Sequence, residues 1–175
     1  SVTFINLEGT RPILIEIQAL VDKSMLPNPK RLTVGTDAQR LTMLLAILHR
    51  HVTLSTYDQD VFLNAVGGIK INETASDLAV LIAIVSSMTN QAVSSKTAIF
   101  GEVGLGGEIR PVSRGQERIK EASKLGFKRI IVPLKNKASD IPDVEIIGVD
   151  NLRDAVKVVF GSNRVKNDEQ IYPDE

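Results

Sequence analysis

Basic side chains are the residues in this sequence whose type and spacing could do chemistry, and they cluster in two places. Lys30 and Arg31 are adjacent, and a second group follows later in the chain: Arg110, Arg114, Arg118, Lys120, Lys124, Lys128 and Arg129. Phosphate binding needs only positive charge and strengthens with the number of contacts. Glu117 and Glu121 are interleaved with the second group, so a solvated helix face with internal ion pairs is the competing interpretation. The residues predicted to contact DNA are Lys30, Arg31, Arg110, Arg114 and Arg118.

The overall charge limits what such a surface can do. Lys and Arg together number 21, as do Asp and Glu, so the chain has no general attraction for nucleic acid and binding must come from a local patch. Aromatic residues make up 4% of the chain and there is no Trp, which leaves little scope for base stacking. DNA binding, where it occurs, is therefore expected to depend strongly on salt and weakly on sequence.

Other patterns predict no metal or cofactor in this chain. The glycine run from Gly101 to Gly107 lacks the Lys-Ser or Lys-Thr of a phosphate-binding loop and fits no dinucleotide motif, so we predict a tight turn there. His49 and His51 are two positions apart on a predicted helix and point about 200° from each other, so they cannot share a metal. The absence of cysteine excludes disulfides, thiolate zinc sites and a cysteine nucleophile, and fits a cytoplasmic location. No apolar run approaches the roughly 20 residues that span a bilayer, so no membrane partner is expected.

The elements that must position these residues begin as strands and continue as alternating helices and strands. Strands are predicted at 2–8, 11–21, 31–34, 61–71 (interrupted at Gly67 and Gly68), 97–103, 108–112, 129–132 and 145–149. Helices are predicted at 37–51, 75–89, 116–125 and 152–160. This order predicts a single α+β domain over residues 1–161, followed by a polar tail, 162–175, that we expect to be disordered.

Three helix ends carry recognisable signals. Thr36, with Gln39 three residues later, is predicted to form a capping box. Thr74 is predicted to cap the second helix, with Asp77 near the positive end of its dipole. Gly126 is predicted to end the third helix. Because the second helix is apolar on nearly all sides, we expect it to be central and buried.

Several segments resemble known families. Residues 101–133 (GEVGLGGEIRPVSRGQERIKEASKLGFKRIIVP) closely resemble the Lon-type proteolytic domain, in which a Gly-Glu-Val strand and a glycine turn precede the lysine helix. Residues 72–87 fall where Lon proteases carry Asp-Gly-Pro-Ser-Ala-Gly at the start of the serine helix. Residues 8–22 (EGTRPILIEIQALVD), 40–51 (RLTMLLAILHRH) and 66–80 resemble the RadA/Sms family of bacterial DNA-repair proteins more specifically. The resemblance covers residues 2–160 and implies a Lon-protease-like α+β fold.

The same resemblance implies that the protease chemistry is absent. A Ser–Lys dyad needs a serine at a helix N-terminus, where backbone N–H groups form an oxyanion hole, and a lysine whose pKa is lowered in a desolvated pocket. The resemblance places the serine at Ala75 and the lysine at Gln116. A methyl group is no nucleophile and a neutral amide is no base. Asp77 takes the place of a family glycine and would oppose an oxyanion, so no catalytic residue is predicted.

A relocated dyad of Ser76 and Lys120, in an active Lon-like peptidase, is the alternative hypothesis. Ser76 is one residue late, which turns it about 100° away on a helix. Lys120 lies one turn beyond Gln116. A small residue in a buried first turn and a solvated lysine is the simpler interpretation of the two. A DNA-binding module that acts alone is a third hypothesis.

What the resemblance implies for function is a non-proteolytic scaffold domain that assembles a ring. The parent of such a domain is expected to be a hexameric, DNA-dependent ATPase that works as a branch-migration helicase with the RecA recombinase. ATP, Mg and Zn would then belong to parent domains outside this chain, which is expected to hold no cofactor.

Overall fold

The structure is a computed structural model that describes residues 1–67 and 73–161. The end of the predicted strand 61–71, with its Gly68, and the predicted disordered tail 162–175 lie outside the described residues. The strands are β1 (Val2–Glu8), β2 (Arg11–Lys23), β3 (Arg31–Val34), β4 (Gln59–Val66), β5 (Thr97–Ile99), β6 (Glu102–Val103), β7 (Ile109–Arg110), β8 (Arg129–Pro133) and β9 (Glu145–Val149). The helices are α1 (Ala38–Val52), α2 (Asp77–Thr89), α3 (Gly115–Lys124) and α4 (Leu152–Phe160).

Seven strands form one mixed sheet in the order β3-β4-β2-β1-β5-β8-β9, and β6 pairs with β7 separately. In the first half of the sheet, β2 pairs antiparallel with both β1 and β4. In the second half, β5, β8 and β9 run parallel, as expected for strands that alternate with helices. The chain is therefore a single mixed α/β domain, in agreement with the predicted order of strands and helices.

The two halves of the sheet meet at a narrow seam between β1 and β5. Thr3 and Ala98 are the paired residues that join these two strands. Further along β1, the carbonyl of Ile5 accepts a hydrogen bond from the Arg118 side chain of α3, at 2.8 Å. This bond attaches α3 to β1 beside the seam.

Helix α2 forms the centre of the core. Every residue from Asp77 to Val85 is buried, which confirms the prediction of a central helix. The helix packs against β1 and β2, and α1 and α4 pack against it in turn. Helix α3 contacts β1 and β8, where Ile5 is buried although its neighbour across the strand pair, Leu14, is half exposed.

Three local predictions are wrong in detail. Thr74 does not cap the second helix, because it lies inside the 3-10 turn Thr74–Ser76 and the N-cap of α2 is Ser76, which makes no side-chain capping bond. The N-cap of α1 is Asp37, whose side chain accepts a hydrogen bond from the Gln39 N–H, and not Thr36. The predicted strand 97–103 divides into β5 and β6 because the backbone of Gly101 bonds elsewhere. Its N–H donates to the Ala75 carbonyl at 2.8 Å, and its carbonyl accepts from the Leu78 N–H at 3.0 Å.

Candidate functional site

The start of α2 is where the resemblance places the nucleophile, and here the backbone is fixed by the neighbouring strand. Ala75 lies in a short 3-10 turn, Thr74–Ser76, that leads into the helix, and its methyl group is buried. The two hydrogen bonds to Gly101 hold this turn against the loop before β6. The turn is therefore rigidly positioned, and it presents no hydroxyl at Ala75.

A buried ion pair occupies the first turn of α2. The Asp77 side chain is 2% exposed, and the Arg40 Nε of α1 donates to its Oδ1 at 3.0 Å. The Arg40 Nη2 bonds Asp77 Oδ2, and the Val103 N–H donates to the same oxygen at 3.1 Å. Asp77 thereby ties α1, α2 and β6 together through one carboxylate.

The electrostatics of this pair follow from its burial. Desolvation raises the pKa of Asp77 above its ordinary value, and the hydrogen bond from Arg40 opposes that rise. The same hydrogen bond raises the pKa of Arg40, whose guanidinium stays charged. A charged carboxylate in the first turn repels a developing oxyanion, so the arrangement opposes acyl-transfer chemistry.

A cavity of about 140 Å³ lies between the starts of α1 and α2. Its apolar wall is formed by Leu41, Leu44, Leu63 and Val80. Its polar rim contains Thr36, Asp37, Glu73, Thr74 and Ser76, beside the Arg40–Asp77 pair. Arg40 is the only cation among the described residues that line this cavity, so no lysine amine is found there to act as a base.

The relocated dyad finds no support in these contacts. The Ser76 hydroxyl donates a hydrogen bond to the Glu73 carbonyl at 3.0 Å, within the turn that precedes α2. Lys120 is exposed on α3 and does not line the cavity that contains Ser76. Gln116 is likewise exposed, in the first turn of α3.

Arg118 requires a correction to the predicted DNA-contacting surface. The residue is 1% exposed and its guanidinium points into the protein. It lies 2.8 Å from a Glu73 carboxylate oxygen, donates to the Ile5 and Ser113 carbonyls, and stacks over the Phe4 ring at 5.7 Å. A phosphate cannot reach this side chain, so the prediction that Arg118 contacts DNA is wrong.

The side chains of the other predicted DNA contacts differ in their exposure and in how many hydrogen bonds they make within the protein. Arg31 is half-buried and donates to the backbone carbonyls of Thr56 and Gln59, which gives it a structural role. Arg114 bonds the Gly9 carbonyl and pairs with Glu117. Arg110 pairs with Glu108 on the surface, and Lys30 is exposed.

Sequence reasoning missed two residues that build this site, Arg40 and Glu73. A signal for Arg40 was present, because an aspartate in an otherwise apolar helix requires a partner when it is buried. Arg40 also lies one residue before the apolar face that begins at Leu41. Nothing comparable in the sequence marked Glu73 as the partner of Arg118.

The sequence profile of the family described as "Subunit ChlI of Mg-chelatase" matches residues 43–136, which include Asp77 and the Glu73–Arg118 pair but not Arg40. The chain belongs to this family. The family description names a chelatase subunit, but it gives no role to any residue of this chain.

Individual relatives of this chain carry the name "DNA repair protein RadA". The chain is 55% identical to "DNA repair protein RadA" of Pseudomonas aeruginosa over 161 residues, covering 91% of the chain and 36% of the relative. It is 56% identical to the RadA protein of Escherichia coli over 152 residues, covering 86% of the chain and 33% of the relative. It is 44% identical to the RadA protein of Bacillus subtilis over 158 residues, covering 89% of the chain and 34% of the relative.

This similarity confirms the resemblance to the RadA/Sms family. The chain is homologous to the C-terminal part of RadA and spans about a third of the length of these relatives. None of the described helices is long and apolar enough to cross a membrane. Within residues 1–67 and 73–161, no group of three His, Asp or Glu side chains is arranged to hold a metal ion.

Proposed function

We propose that this chain is a non-proteolytic, Lon-protease-like scaffold domain of a RadA-type DNA repair protein, and that its role is self-association. The observation that carries the proposal is the buried Arg40–Asp77 pair at the start of α2. Where a Lon-type protease holds a serine and an oxyanion hole, this chain holds Ala75 and a carboxylate with three hydrogen-bond donors. A domain that keeps its core but lacks the dyad residues would act through its packing and its surface.

The parent function is proposed from the relatives. The parent would be a hexameric, DNA-dependent ATPase that promotes branch migration with the RecA recombinase. In that assembly ATP, Mg and Zn bind to other domains, and this domain stabilises the ring. The whole assembly would act in the cytoplasm.

The first experiment measures mass and hydrolysis on the same preparation. Light scattering over a wide concentration range should show association above the mass of one chain. A fluorescent casein substrate should show no turnover. A strict monomer at the highest concentration would overturn the assembly role. Turnover that disappears in Ser76→Ala would instead establish the relocated-dyad peptidase.

A basic surface for DNA is the second candidate, and the exposure of Arg110 favours it, since 56% of that side chain is accessible. Lys30, Arg110 and Arg114 are the predicted contacts that remain on the surface. A gel-shift salt series on wild type and on a variant with Arg110 and Arg114 changed to Ala tests this role. Loss of about one phosphate contact per arginine should reduce the salt slope by about 2. An unchanged slope would remove these arginines from any DNA interface.

A further inference from the structure

The cavity between the starts of α1 and α2 has an apolar wall formed by buried side chains. Leu41 and Leu44 of α1, Leu63 of β4 and Val80 of α2 line it, and each of them is 3% exposed or less. Apolar cavities of about 150 Å³ hold a molecule the size of benzene. With a volume of about 140 Å³, this cavity can accommodate a ligand of about six heavy atoms.

The rim of the cavity carries an excess of negative charge. Asp37, Glu73 and Asp77 contribute three carboxylates, whereas Arg40 is the only cation among the described lining residues. Arg40 pairs with Asp77, and Arg118, which does not line the cavity, pairs with Glu73. Asp37 forms no ion pair with any of the described residues, so its charge is left uncompensated at the cavity.

A buried hydroxyl at this rim is also unsatisfied. Thr36 lines the cavity, and its Oγ1 is buried with no hydrogen-bond partner in the part of the chain that the structure describes. A buried polar group without a partner is costly in a folded protein. A ligand whose head group donates hydrogen bonds would supply that partner, because a hydroxyl oxygen accepts them.

The charges at the rim select the head group of a ligand. A carboxylate or phosphate would face three carboxylates and one guanidinium, so anions are repelled. The N-terminal ends of α1 and α2 favour anions, but each of these ends already has an aspartate side chain, Asp37 and Asp77. An ammonium on an apolar body would instead place its charge beside Asp37 and its hydrocarbon against the apolar wall.

We infer that this cavity binds a primary aliphatic amine of about six heavy atoms, with its ammonium beside Asp37 and Thr36 and its hydrocarbon against Leu44 and Val80. Such an amine is protonated at neutral pH, as a lysine side chain is. The site does not depend on self-association, because all of its lining residues belong to one copy of the chain. It adds the binding of a small molecule to the proposed scaffold role.

Three probes of similar shape test the site on the 175-residue chain: isoamylamine, isoamyl alcohol and isovalerate. The leucine and valine methyl signals in NMR spectra report occupancy of the cavity. Isoamylamine should cause saturable shifts at Leu41, Leu44, Leu63 and Val80. Its affinity should exceed that of isoamyl alcohol at least about fivefold, because one charge pair at the protein surface contributes about that factor. Isovalerate should cause no saturable shift.

Salt separates the contribution of the charge from that of the apolar wall. Raising the NaCl concentration from about 50 mM to about 500 mM should weaken the binding of isoamylamine at least about twofold, because salt screens charge pairs near the surface. The affinity for isoamyl alcohol should stay the same.

The variant Asp37→Asn removes the uncompensated charge and keeps the cap of α1, since asparagine caps a helix as well as aspartate does. The affinity for isoamylamine should fall about fivefold, and the affinity for isoamyl alcohol should not change. Asp58→Asn is the matched control, because Asp58 is exposed before β4, at the opposite end of the β3–β4 pair from Thr36. It should alter neither affinity.

The variant Val80→Leu adds one methylene to the apolar wall and leaves every charge in place. Isoamylamine and isoamyl alcohol should both bind at least about threefold more weakly, because hydrocarbon then fills part of the cavity. Thermal unfolding followed by circular dichroism verifies that this variant and Asp37→Asn are folded.

The outcomes distinguish the site from its ligand class. Shifts that do not saturate with isoamylamine, or that spare the four residues of the apolar wall, overturn the site. Equal affinities for isoamylamine and isoamyl alcohol, unchanged in Asp37→Asn, overturn the assignment of an amine. Neither result affects the proposed self-association, which light scattering tests separately.

Discussion

The Arg118 guanidinium of α3 lies 2.8 Å from the Glu73 carboxylate, which precedes the turn into α2. Together with Arg40 and Asp77, this pair brackets the place where a Lon-type enzyme would carry its catalytic groups. Both pairs use an arginine and a carboxylate to join elements that are distant in sequence. The ion pairs in this region therefore hold separate elements of the fold together.

Arg118→Met should lower the free energy of unfolding by about 3 kcal/mol, because the Ile5 and Ser113 carbonyls lose a buried donor and Glu73 loses its partner. Urea denaturation measures the change. Arg110→Met is the control, since its pair with Glu108 lies on the surface, where solvent screens it, and its loss should leave stability close to that of wild type. Glu73→Gln keeps an acceptor for Arg118, so its loss in the free energy of unfolding should lie between those of Arg118→Met and Arg110→Met. Equal effects of Arg118→Met and Arg110→Met would show that burial of Arg118 contributes nothing.

Arg31→Ala should lower stability by about 1–3 kcal/mol, because the buried carbonyl of Thr56 loses a charged donor that lies at 2.7 Å. Lys30→Ala should change stability by no more than about 0.5 kcal/mol, since its side chain is exposed. The comparison uses adjacent basic residues, both of them predicted DNA contacts. A salt-dependent loss of DNA affinity in Arg31→Ala without a loss of stability would show that Arg31 contacts DNA and has no structural role.

Asp77 gives a pH dependence whose sign follows from its burial. Because burial raises the pKa of Asp77 above 3.8, the folded state holds this proton more tightly than the unfolded chain. The contribution of protonated Asp77 to the free energy of unfolding is fully present below about pH 3.8. It is lost as the pH rises through the higher pKa that Asp77 has in the folded state. Wild-type stability relative to Asp77→Asn should thus decline as pH increases from about 4 towards neutrality.

Urea denaturation of wild type and of Asp77→Asn across that pH range gives the difference between their free energies of unfolding. The effects of the carboxylates that both proteins share cancel in this difference. A wild-type advantage that grows with pH would mean that Arg40 lowers the pKa of Asp77 by more than burial raises it.

Restoring the two dyad residues should not restore hydrolysis. In the variant Ala75→Ser with Gln116→Lys, the serine would stand beside the Asp77 carboxylate, which opposes an oxyanion. Turnover of fluorescent casein should stay within about twofold of buffer, well short of the 10²-fold or greater effect of one oxyanion donor. Thermal unfolding verifies that the variant folds. Sustained turnover would show that Asp77 does not block the site.

Patterns with a fixed period were enough to predict most of the elements. The alternation in β2 predicted a strand with one face in the core, and the apolar segment from Leu78 to Val85 predicted a buried helix because it lies within the longer stretch 75–89. Gly126, with its φ of 93°, ends α3 in the left-handed conformation that glycine favours.

What the sequence could not supply was the direction of long side chains. Arg118 sits among exposed basic residues in sequence, yet it fills the gap beside β1, which no local pattern reveals. The division between β5 and β6 likewise depends on Gly101 bonding to Ala75, a residue 26 positions away in the chain. Contacts between distant segments decide such features, and periodicity does not encode them.

The seam between β1 and β5 has a consequence for how the domain holds together. A single backbone pairing, Thr3 with Ala98, links the half of the sheet formed by β3, β4, β2 and β1 to the half formed by β5, β8 and β9. Cohesion between the halves therefore depends on α2 and on the Arg118 side chain rather than on a strand ladder. The cooperativity of unfolding therefore depends on side-chain packing across this seam more than on backbone pairing.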